Sequence, residues 1–336
     1  MSTRSPLPGP TAWICALALL ALSVPGAQLL AQSGPSPYRT VDDWAKLPNG
    51  RQMGAVGKVT TDPDGDHIWA VIRCDAGGDR FGTECLDSDL DPVVKFDLDG
   101  NVVESFGGGM FIWPHGIDVD SDGNVWVTDA VATANIPAGD ERGHQVIKFS
   151  STGRVLMTLG TPGKPGVGNN SFNAPADVVV ADNGDIFVAD GHGNDTNNRI
   201  VKFSKDGTFI KAWGQKGVGP GEFATPHSLA FDSRGRLFVG DRENNRIQLF
   251  TQDGTFLEEW TQFGRPSGMW IDENDVIYVA DYQLREGIVI ANADDFSEIG
   301  FISEASAEGV VVDAAGNVYA GEVLSRNLKK FVRNER

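Results

Sequence analysis

The stretch that decides the fold runs from Trp113 to Asp129 and reads Trp-Pro-His-Gly-Ile-Asp-Val-Asp-Ser-Asp-Gly-Asn-Val-Trp-Val-Thr-Asp. Two short runs rich in apolar residues flank an Asp-Gly turn, which is typical of a β-hairpin. The chain repeats this pattern of turn, strand, tight polar turn and second strand. The other copies cover residues 53–71, 175–190, 226–241, 266–281 and 307–322.

A second hairpin follows the first in successive copies of the repeat. These hairpins cover residues 93–106, 146–159, 199–213, 246–260 and 287–302. Four short antiparallel strands in a unit of about 40–45 residues are the period of a β-propeller blade. The sixth copy has only three strands, which end near residues 328–332, and Tyr38–Pro48 is the stretch best able to supply the fourth. The sequence therefore predicts an all-β, six-bladed β-propeller whose ring is closed by an N-terminal strand completing the last blade.

The first residues differ in composition from the repeats and are assigned to export. Residues 1–31 are predicted to be a signal peptide, because the apolar run from Trp13 to Val24 is too short to span a bilayer. Arg4 is the only charge before this run, which leaves an uncleaved anchor as the alternative. Residues 32–37 are predicted to be a linker and residues 38–336 the propeller. We expect a secreted or periplasmic protein that has no membrane contact once the signal is cleaved.

Charge and cysteine content narrow the partners and the compartment. The chain has 28 Lys and Arg against 46 Asp and Glu, a net charge of -18, which disfavours nucleic acid as a partner and is read mainly as a source of solubility. We expect a monomer. Without the signal, two cysteines remain, Cys74 and Cys85, and an even pair in an oxidising compartment predicts one disulfide.

One position of the repeat carries residues that can bind a metal. Eight residues before the turn of each first hairpin stand Gly57, His115, Ala176, His227, Ser267 and Glu308. In a propeller this position begins the innermost strand, and alternate blades of a six-fold ring lie about 120° apart. His115, His227 and Glu308 would then meet on the axis, where two imidazoles and a carboxylate suit one divalent metal: zinc with an open fourth position, or iron(II). The alternative is that each histidine is a rim residue hydrogen-bonded to a neighbouring loop.

Further motifs resemble a known family. Trp213-Gly214, spaced glycines up to Phe223, Pro226-His227 and then Asp241-Arg242-Glu243-Asn244 are similar to the NHL repeat family of six-bladed β-propellers. Within that family, the stretch from about residue 50 to residue 332 most resembles the peptidyl-α-hydroxyglycine α-amidating lyases. That resemblance implies an NHL-type propeller and a metal-dependent carbon–nitrogen lyase.

The resemblance also implies roles for individual residues. The family holds zinc with three histidines, and the first two correspond to His115 and His227. The third position is Glu308 here, a departure from the family, and a carboxylate ligand weakens the Lewis acidity of the metal. The arginines that hold the substrate carboxylate fall on Arg73 and Arg242, and a guanidinium suits a bidentate carboxylate contact. The alternative for each arginine is a salt bridge to a nearby acid.

Two more positions depart from the family. His192 stands where the family has its catalytic tyrosine, and histidine is a capable general base. Gly309 stands where the family has an aspartate that binds calcium, so that calcium is not expected. The remaining histidines, His67 and His144, are predicted to be surface residues of turns or loops.

These observations predict a secreted lyase that cleaves a carboxylate-bearing α-hydroxy amide, or a related small-molecule or peptide substrate, at an axial metal site. The alternative is a non-catalytic NHL propeller that binds a protein or glycan partner. A propeller hydrolase such as a lactonase ranks third, because Gly57, Ala176 and Ser267 supply few acids or amides around the axis.

Overall fold

The structure, a computed structural model, describes residue 1 and residues 36–74, 80–193 and 195–334. The stretch Pro35–Arg336 forms one compact unit. Apart from Met1, the predicted signal peptide (1–31) lies outside the described residues, as does the linker before residue 36.

Twenty-four strands in the described part of the chain form six four-stranded antiparallel sheets. In chain order they are β1 (Tyr38–Val41), β2 (Val56–Thr61), β3 (His67–Ile72), β4 (Val93–Asp97), β5 (Val102–Phe106), β6 (Pro114–Val119), β7 (Val125–Asp129), β8 (Gln145–Phe149), β9 (Val155–Leu159), β10 (Pro175–Val180), β11 (Ile186–Asp190), β12 (Arg199–Phe203), β13 (Phe209–Trp213), β14 (Pro226–Phe231), β15 (Leu237–Asp241), β16 (Arg246–Phe250), β17 (Phe256–Trp260), β18 (Pro266–Ile271), β19 (Val276–Asp281), β20 (Gly287–Asn292), β21 (Glu298–Ile302), β22 (Ala307–Val312), β23 (Val318–Glu322) and β24 (Asn327–Arg333). Five sheets take four consecutive strands each, from β2 to β21, and so form the first five blades.

The sixth blade joins the two ends of the chain. Its strand order is β1-β24-β23-β22, and β1 pairs with β24 from Tyr38 opposite Arg333 to Val41 opposite Lys330. The first strands of neighbouring blades, including β2 and β22, pack against each other around the ring. The predicted six-bladed propeller and its closure by an N-terminal strand are confirmed.

Apolar residues fill the space between neighbouring blades. Between the first two blades, Trp69 and Val93 of one sheet pack in a buried cluster with Ile117 and Val127 of the next. Alternation along each strand sends one set of side chains to each neighbouring blade, so both faces of every sheet are covered. This packing leaves only the first strands to line the axis.

The rest of the described chain is turns and loops. Its helical elements are three short 3₁₀ turns, Pro48–Gly50, Thr133–Asn135 and Arg242–Asn244. Among the described residues, none of the helices has the length and apolar character needed to cross a membrane. The predicted disulfide between Cys74 and Cys85 is present.

Candidate active site at the propeller axis

A β-bulge turns each candidate ligand toward the axis. The pairing of the first two strands skips a residue between Pro226 and Ser228 and between Ala307 and Gly309, which leaves His227 and Glu308 unpaired. In the second blade the skip falls between Pro114 and Ile117 and includes His115. A bulge bends the strand and re-aims one side chain, so the repeat presents this residue to the channel instead of a neighbouring blade.

In five of the six blades, an acid at the end of the second strand holds the loop that leads into the bulge. Asp129 accepts hydrogen bonds from the backbone amides of Ile112 and Trp113, at 2.8 and 2.9 Å. Asp190, Asp241, Asp281 and Glu322 accept the equivalent amides in the third to sixth blades. The loops around the axis are therefore fixed by buried carboxylates that the sequence repeats.

Four side chains converge on the axis. The donor atoms of His115, His192, His227 and Glu308 all lie within 4.8 Å of one another, and we call this group the histidine cluster. The Nε2 atoms of His115 and His227 lie 3.6 and 3.2 Å from Glu308 Oε1. The structure thus brings together the three residues predicted as ligands and adds His192, which the sequence analysis assigned to proton transfer.

Hydrogen bonds to the next blade fix the orientation of two imidazoles. His115 Nδ1 lies 2.8 Å from the carbonyl oxygen of Ala176, and His227 Nδ1 lies 2.7 Å from that of Ser267. Each bond requires Nδ1 to carry the proton, which leaves the Nε2 lone pair facing the cluster. This is the arrangement that metal-binding histidines use.

The cluster fits a divalent metal on the evidence of its unpaired atoms. His115 Nε2 is buried and makes no hydrogen bond to the described residues. Burial lowers the pKa of His115 and His192 and lowers the pKa of His227 to about 3, so all three rings are neutral near neutral pH. Buried polar atoms without partners are rare in proteins, and neutral imidazoles are the form that binds metal.

Glu308 supplies the negative charge of the cluster. Burial by itself would raise its pKa, but contacts with His227 and His115 and the charge of Arg242 hold that pKa well below its ordinary value. An ionised carboxylate beside two neutral imidazoles can bind a cation directly.

Arg242 contacts the cluster from the fourth blade. Its Nη1 donates to Nε2 of His227 at 2.9 Å and lies 3.5 Å from Glu308 Oε1. Its Nε lies 3.3 Å from Glu243. A metal bound to His227 Nε2 would therefore replace the hydrogen bond from Arg242 Nη1 to that atom.

Arg73 lies deeper and is almost unpaired. Its side chain is 1% exposed, and its Nη1 and Nη2 make no hydrogen bond within the described residues. The guanidinium carbon lies 4.3 Å from the centre of the Trp113 ring, and Nη1 lies 3.8 Å from Glu84 Oε1. The disulfide joins the residues next to Arg73 and Glu84, so it fixes this pair beside the cluster.

Sequence reasoning missed two features around the cluster. Trp113 packs against His192 with ring centres 4.8 Å apart, and a tryptophan directly before Pro-His was the available signal. Lys58 pairs with Asp177 at 2.5 Å inside the channel. Charged residues within otherwise apolar first strands could have indicated this pair.

Lys58, Asp177 and Asp118 form a second polar group, which we call the lysine layer. Burial raises the pKa of Asp118 to about 7 despite the charge of Lys58. Lys58 lines a cavity of about 10 Å³ below the histidine cluster and another of about 170 Å³ further along the channel. The smaller cavity has room for a single water or ion.

The residue after Glu308 has no room for a side chain. A Cβ on Gly309 would lie 2.7 Å from Cα of Lys58 and 2.6 Å from the carbonyl oxygen of Gly57. Close approach of the first and sixth blades therefore requires glycine here.

The prediction that His144 is a surface residue is wrong. His144 is fully buried, its Nδ1 accepts a hydrogen bond from the backbone amide of Ala174, and its Nε2 lies 3.2 Å from Thr133 Oγ1. It has a φ of 57°, and its ring ties the second blade to the loop before the third. His67 is partly exposed and lies 2.8 Å from Asp64.

Comparison with protein families agrees with the geometry. A family described as a six-bladed β-propeller matches residues 169–262, and the NHL repeat matches residues 111–135. The chain is a six-bladed β-propeller with a match to the NHL repeat in its second blade.

Curated relatives with different names match parts of this propeller. NHL repeat-containing protein 3 of Homo sapiens is 42% identical over 134 residues, covering 38% of this chain and 36% of the relative. Probable peptidyl-alpha-hydroxyglycine alpha-amidating lyase pgal-1 of Caenorhabditis elegans is 39% identical over 206 residues, covering 57% of this chain and 54% of the relative. The propeller therefore spans about a third to a half of the length of these curated relatives.

Solved structures share the fold at low sequence identity. The structure of a streptogramin B lyase has a TM-score of 0.58 and 17% identity, covering 88% of this chain and 98% of that one. A gluconolactonase from Xanthomonas campestris has a TM-score of 0.60 and 16% identity, covering 89% and 96%. At this identity the likeness establishes the fold alone.

Proposed function

We propose that this propeller is a secreted, metal-dependent carbon–nitrogen lyase acting on an α-hydroxy amide that carries a carboxylate. One observation carries the proposal. His115, His227 and Glu308 come from three alternate blades, and their donor atoms meet on the axis with both Nε2 lone pairs pointing inward. The relatives named as amidating lyases support this choice of reaction.

The three residues would hold one divalent ion, zinc or iron(II). When bound, the ion would act as a Lewis acid toward the hydroxyl or carbonyl oxygen of the substrate. The hydrogen bonds from Nδ1 of His115 and His227 to backbone carbonyls keep the rings from turning, so the protein supplies a rigid set of ligands.

The two arginines would bind the substrate carboxylate. Arg73 is buried, and its terminal nitrogens make no hydrogen bond to the described residues although Glu84 lies 3.8 Å away. Arg242 lies at the cluster with a side chain 14% exposed. A carboxylate would give Arg73 the acceptor that the described protein does not provide. Contact with both guanidinium groups would fix the α-carbon of the substrate beside the cluster.

The reaction moves one proton and breaks one bond. The α-hydroxyl of the substrate gives up its proton, a carbonyl forms at that carbon, and the carbon–nitrogen bond breaks with its electron pair going to nitrogen. The nitrogen takes up a proton, which yields a peptide amide and glyoxylate when the substrate is a peptidyl-α-hydroxyglycine. His192 lies close enough to the other donors to serve as the proton acceptor or as a further ligand.

The test is incubation of the purified protein, loaded with zinc or iron(II), with an N-acylated α-hydroxyglycine. We expect equal amounts of glyoxylate and amide, detected by mass spectrometry, and a loss of at least about 100-fold in Arg242→Ala. Arg234→Ala removes an arginine that is half exposed on the same blade and should leave turnover unchanged. Protein that releases no product with either metal would refute the lyase assignment.

A second candidate function is a metal-free propeller that binds a protein or glycan. The contact of Arg242 with His227 and Glu308 favours it, since a guanidinium can neutralise the cluster without a metal. In that case the purified protein would hold no stoichiometric metal, and ligand binding would not depend on Arg242.

Export and assembly are separate proposals. The disulfide between Cys74 and Cys85 supports a secreted or periplasmic location, because such bonds persist in oxidising compartments. We propose a monomer with residues 1–31 removed, which N-terminal sequencing and mass measurement of the exported protein would check.

A further inference from the structure

His192 is the one member of the histidine cluster that comes from the third blade. Its ring centre lies 4.7 Å from that of His115 and 5.1 Å from that of His227. Its donor nitrogen lies within 4.8 Å of the donor atoms of both histidines and of Glu308. Within the described residues, the ring packs against Trp113, His115 and His227 and makes no hydrogen bond.

The backbone holds His192 in this place. The amides of Gly191 and His192 both donate to the carbonyl oxygen of Ala174, at 3.2 and 2.7 Å. Gly191 has a φ of 155° and no room for a Cβ, which would lie 2.7 Å from the amide nitrogen of Asn198. Trp113 packs perpendicular to the imidazole. The ring is therefore positioned by the fold and not by a partner.

The spacing distinguishes a ligand from a base. A base needs space for a substrate oxygen, so its nitrogen would lie about 5 Å from the ion, one coordination bond plus one hydrogen bond away. Four donors within 4.8 Å of one another leave no such space, because they surround a single point at close to bonding distance. Small movements of the side chains would bring each donor to about 2 Å from one ion.

We propose that His192 is a fourth protein ligand, completing a centre of three imidazoles and one carboxylate. This inference rests on the proposed metal site and narrows the choice of metal. Zinc with four protein ligands is the closed arrangement of structural sites. Catalysis at this centre is therefore favoured by an ion that readily holds five or six ligands, such as iron(II), because zinc with four protein ligands must expand to five-coordination to accept the substrate.

Cobalt(II) provides the test, because its visible absorption reports the number and type of its ligands. Metal-free protein is titrated with cobalt(II), and the wild type is compared with His192→Gly, His192→Gln and His115→Ala. We expect both His192 variants to bind cobalt at least about 100-fold more weakly and with a changed spectrum, since even residues that only orient a ligand change affinity by about 10–100-fold. Added imidazole should restore the spectrum of His192→Gly, where the flanking glycines leave access.

The control is His67→Ala, which removes a partly exposed histidine of the first blade and should bind cobalt as the wild type does. Wild-type affinity and spectrum in both His192 variants, with turnover lost, would overturn the inference and make His192 the base. Absence of cobalt binding by the wild type would overturn the metal site and this inference with it. A cobalt signal that depends on His192, without turnover on any hydroxyglycine, would refute only the proposed reaction.

A second measurement addresses the metal. We expect turnover with iron(II) to exceed turnover with zinc when mass spectrometry shows equal metal occupancy. Equal turnover with the two metals would overturn the inference that the fourth ligand narrows the choice of metal.

Discussion

The histidine cluster and the lysine layer are two polar groups in one channel, and they differ in how their atoms are paired. Asp177 accepts hydrogen bonds from Lys58 Nζ at 2.5 Å and from the amide of Leu229 at 2.8 Å. In contrast, His115 Nε2 and the terminal nitrogens of Arg73 have no hydrogen-bond partner in the described structure. The protein itself pairs most polar atoms of the lysine layer. The unpaired atoms of His115 and Arg73 need a ligand to pair with them.

This difference separates structure from function. A buried ion pair that is satisfied internally contributes to specifying the fold, and breaking it destabilises the protein. Buried polar atoms that the protein leaves unpaired are tolerated where a ligand pairs with them. The two groups come from adjacent positions of the same repeat. Lys58 and Asp177 directly follow Gly57 and Ala176, which occupy the ligand position in their blades. The repeat therefore fixes where polar residues meet, while the residue types decide what they do.

Removal of Lys58 should have the largest effect on stability. Lys58→Met leaves the carboxylate of Asp177, which is 1% exposed, without its cation. Removing one partner of a buried pair destabilises by about 3–5 kcal/mol. Urea unfolding with the disulfide intact should show this loss, while cobalt affinity stays within about threefold of the wild type because no ligand changes.

The double variant Lys58→Met with Asp177→Asn is the matched control. The amide keeps an oxygen for the backbone donors and removes the unpaired charge, so we expect more than half of the lost stability to return. A double variant as unstable as Lys58→Met would mean that packing around Lys58, and not its charge, stabilises the channel.

The sequence was sufficient to predict the propeller and its closure because both depend on local periodicity. Turn glycines, strand alternation and the missing strand of the sixth copy are all visible between Tyr38 and Arg333. The meeting of His115, His227 and Glu308 followed from the same repeat, because one position on alternate blades must point to one axis.

What the sequence did not reveal depends on loops and on pairing across the ring. The sequence places His144 in a loop, yet its ring is buried and accepts a hydrogen bond from the amide of Ala174, which precedes the third blade. The partner of Lys58 is 119 positions away, and no local pattern links the two. His192 lies on a turn whose reach is set by two glycines, so its distance from the cluster could not be read from spacing.

The charge balance of the lysine layer predicts a moderate dependence of stability on pH. Two carboxylates, Asp118 and Asp177, share one ammonium, and burial raises the pKa of Asp118 from 3.8 to about 7. A raised folded pKa means that the folded state holds a proton that the unfolded state releases. The stabilisation is complete below about pH 4 and is lost as the pH rises through about 7.

Asp118→Asn should remove this part of the pH dependence. At about pH 8 we expect the variant to exceed the wild type in free energy of unfolding by about 1 kcal/mol, a value reduced by the partial exposure of the side chain. At about pH 4 the two should agree. Asp122→Asn, on the exposed turn of the same hairpin, is the control and should follow the wild type at every pH. A variant less stable than the wild type at high pH would show that the charge of Asp118 is stabilising.

Substitution in the histidine cluster should have the smallest effect on the metal-free protein. His227→Ala removes the hydrogen bond from Nδ1 to the carbonyl oxygen of Ser267, whose net contribution is about 1 kcal/mol. It also removes the hydrogen bond from Arg242 Nη1 to Nε2, which Glu308 can replace because its Oε1 lies 3.5 Å from the same nitrogen. The larger difference should appear with metal, since a ligand at about 100 times its dissociation constant stabilises by about 2.7 kcal/mol.

The wild type and Lys58→Met should therefore both gain stability when metal is added, and His227→Ala should not. This crossed pattern is what two independent groups in one channel require, because each substitution affects only its own group. If His227→Ala destabilised the metal-free protein as much as Lys58→Met, the cluster would be a structural element of the channel. The unpaired nitrogens of His115 and Arg73 would then need an explanation other than a ligand.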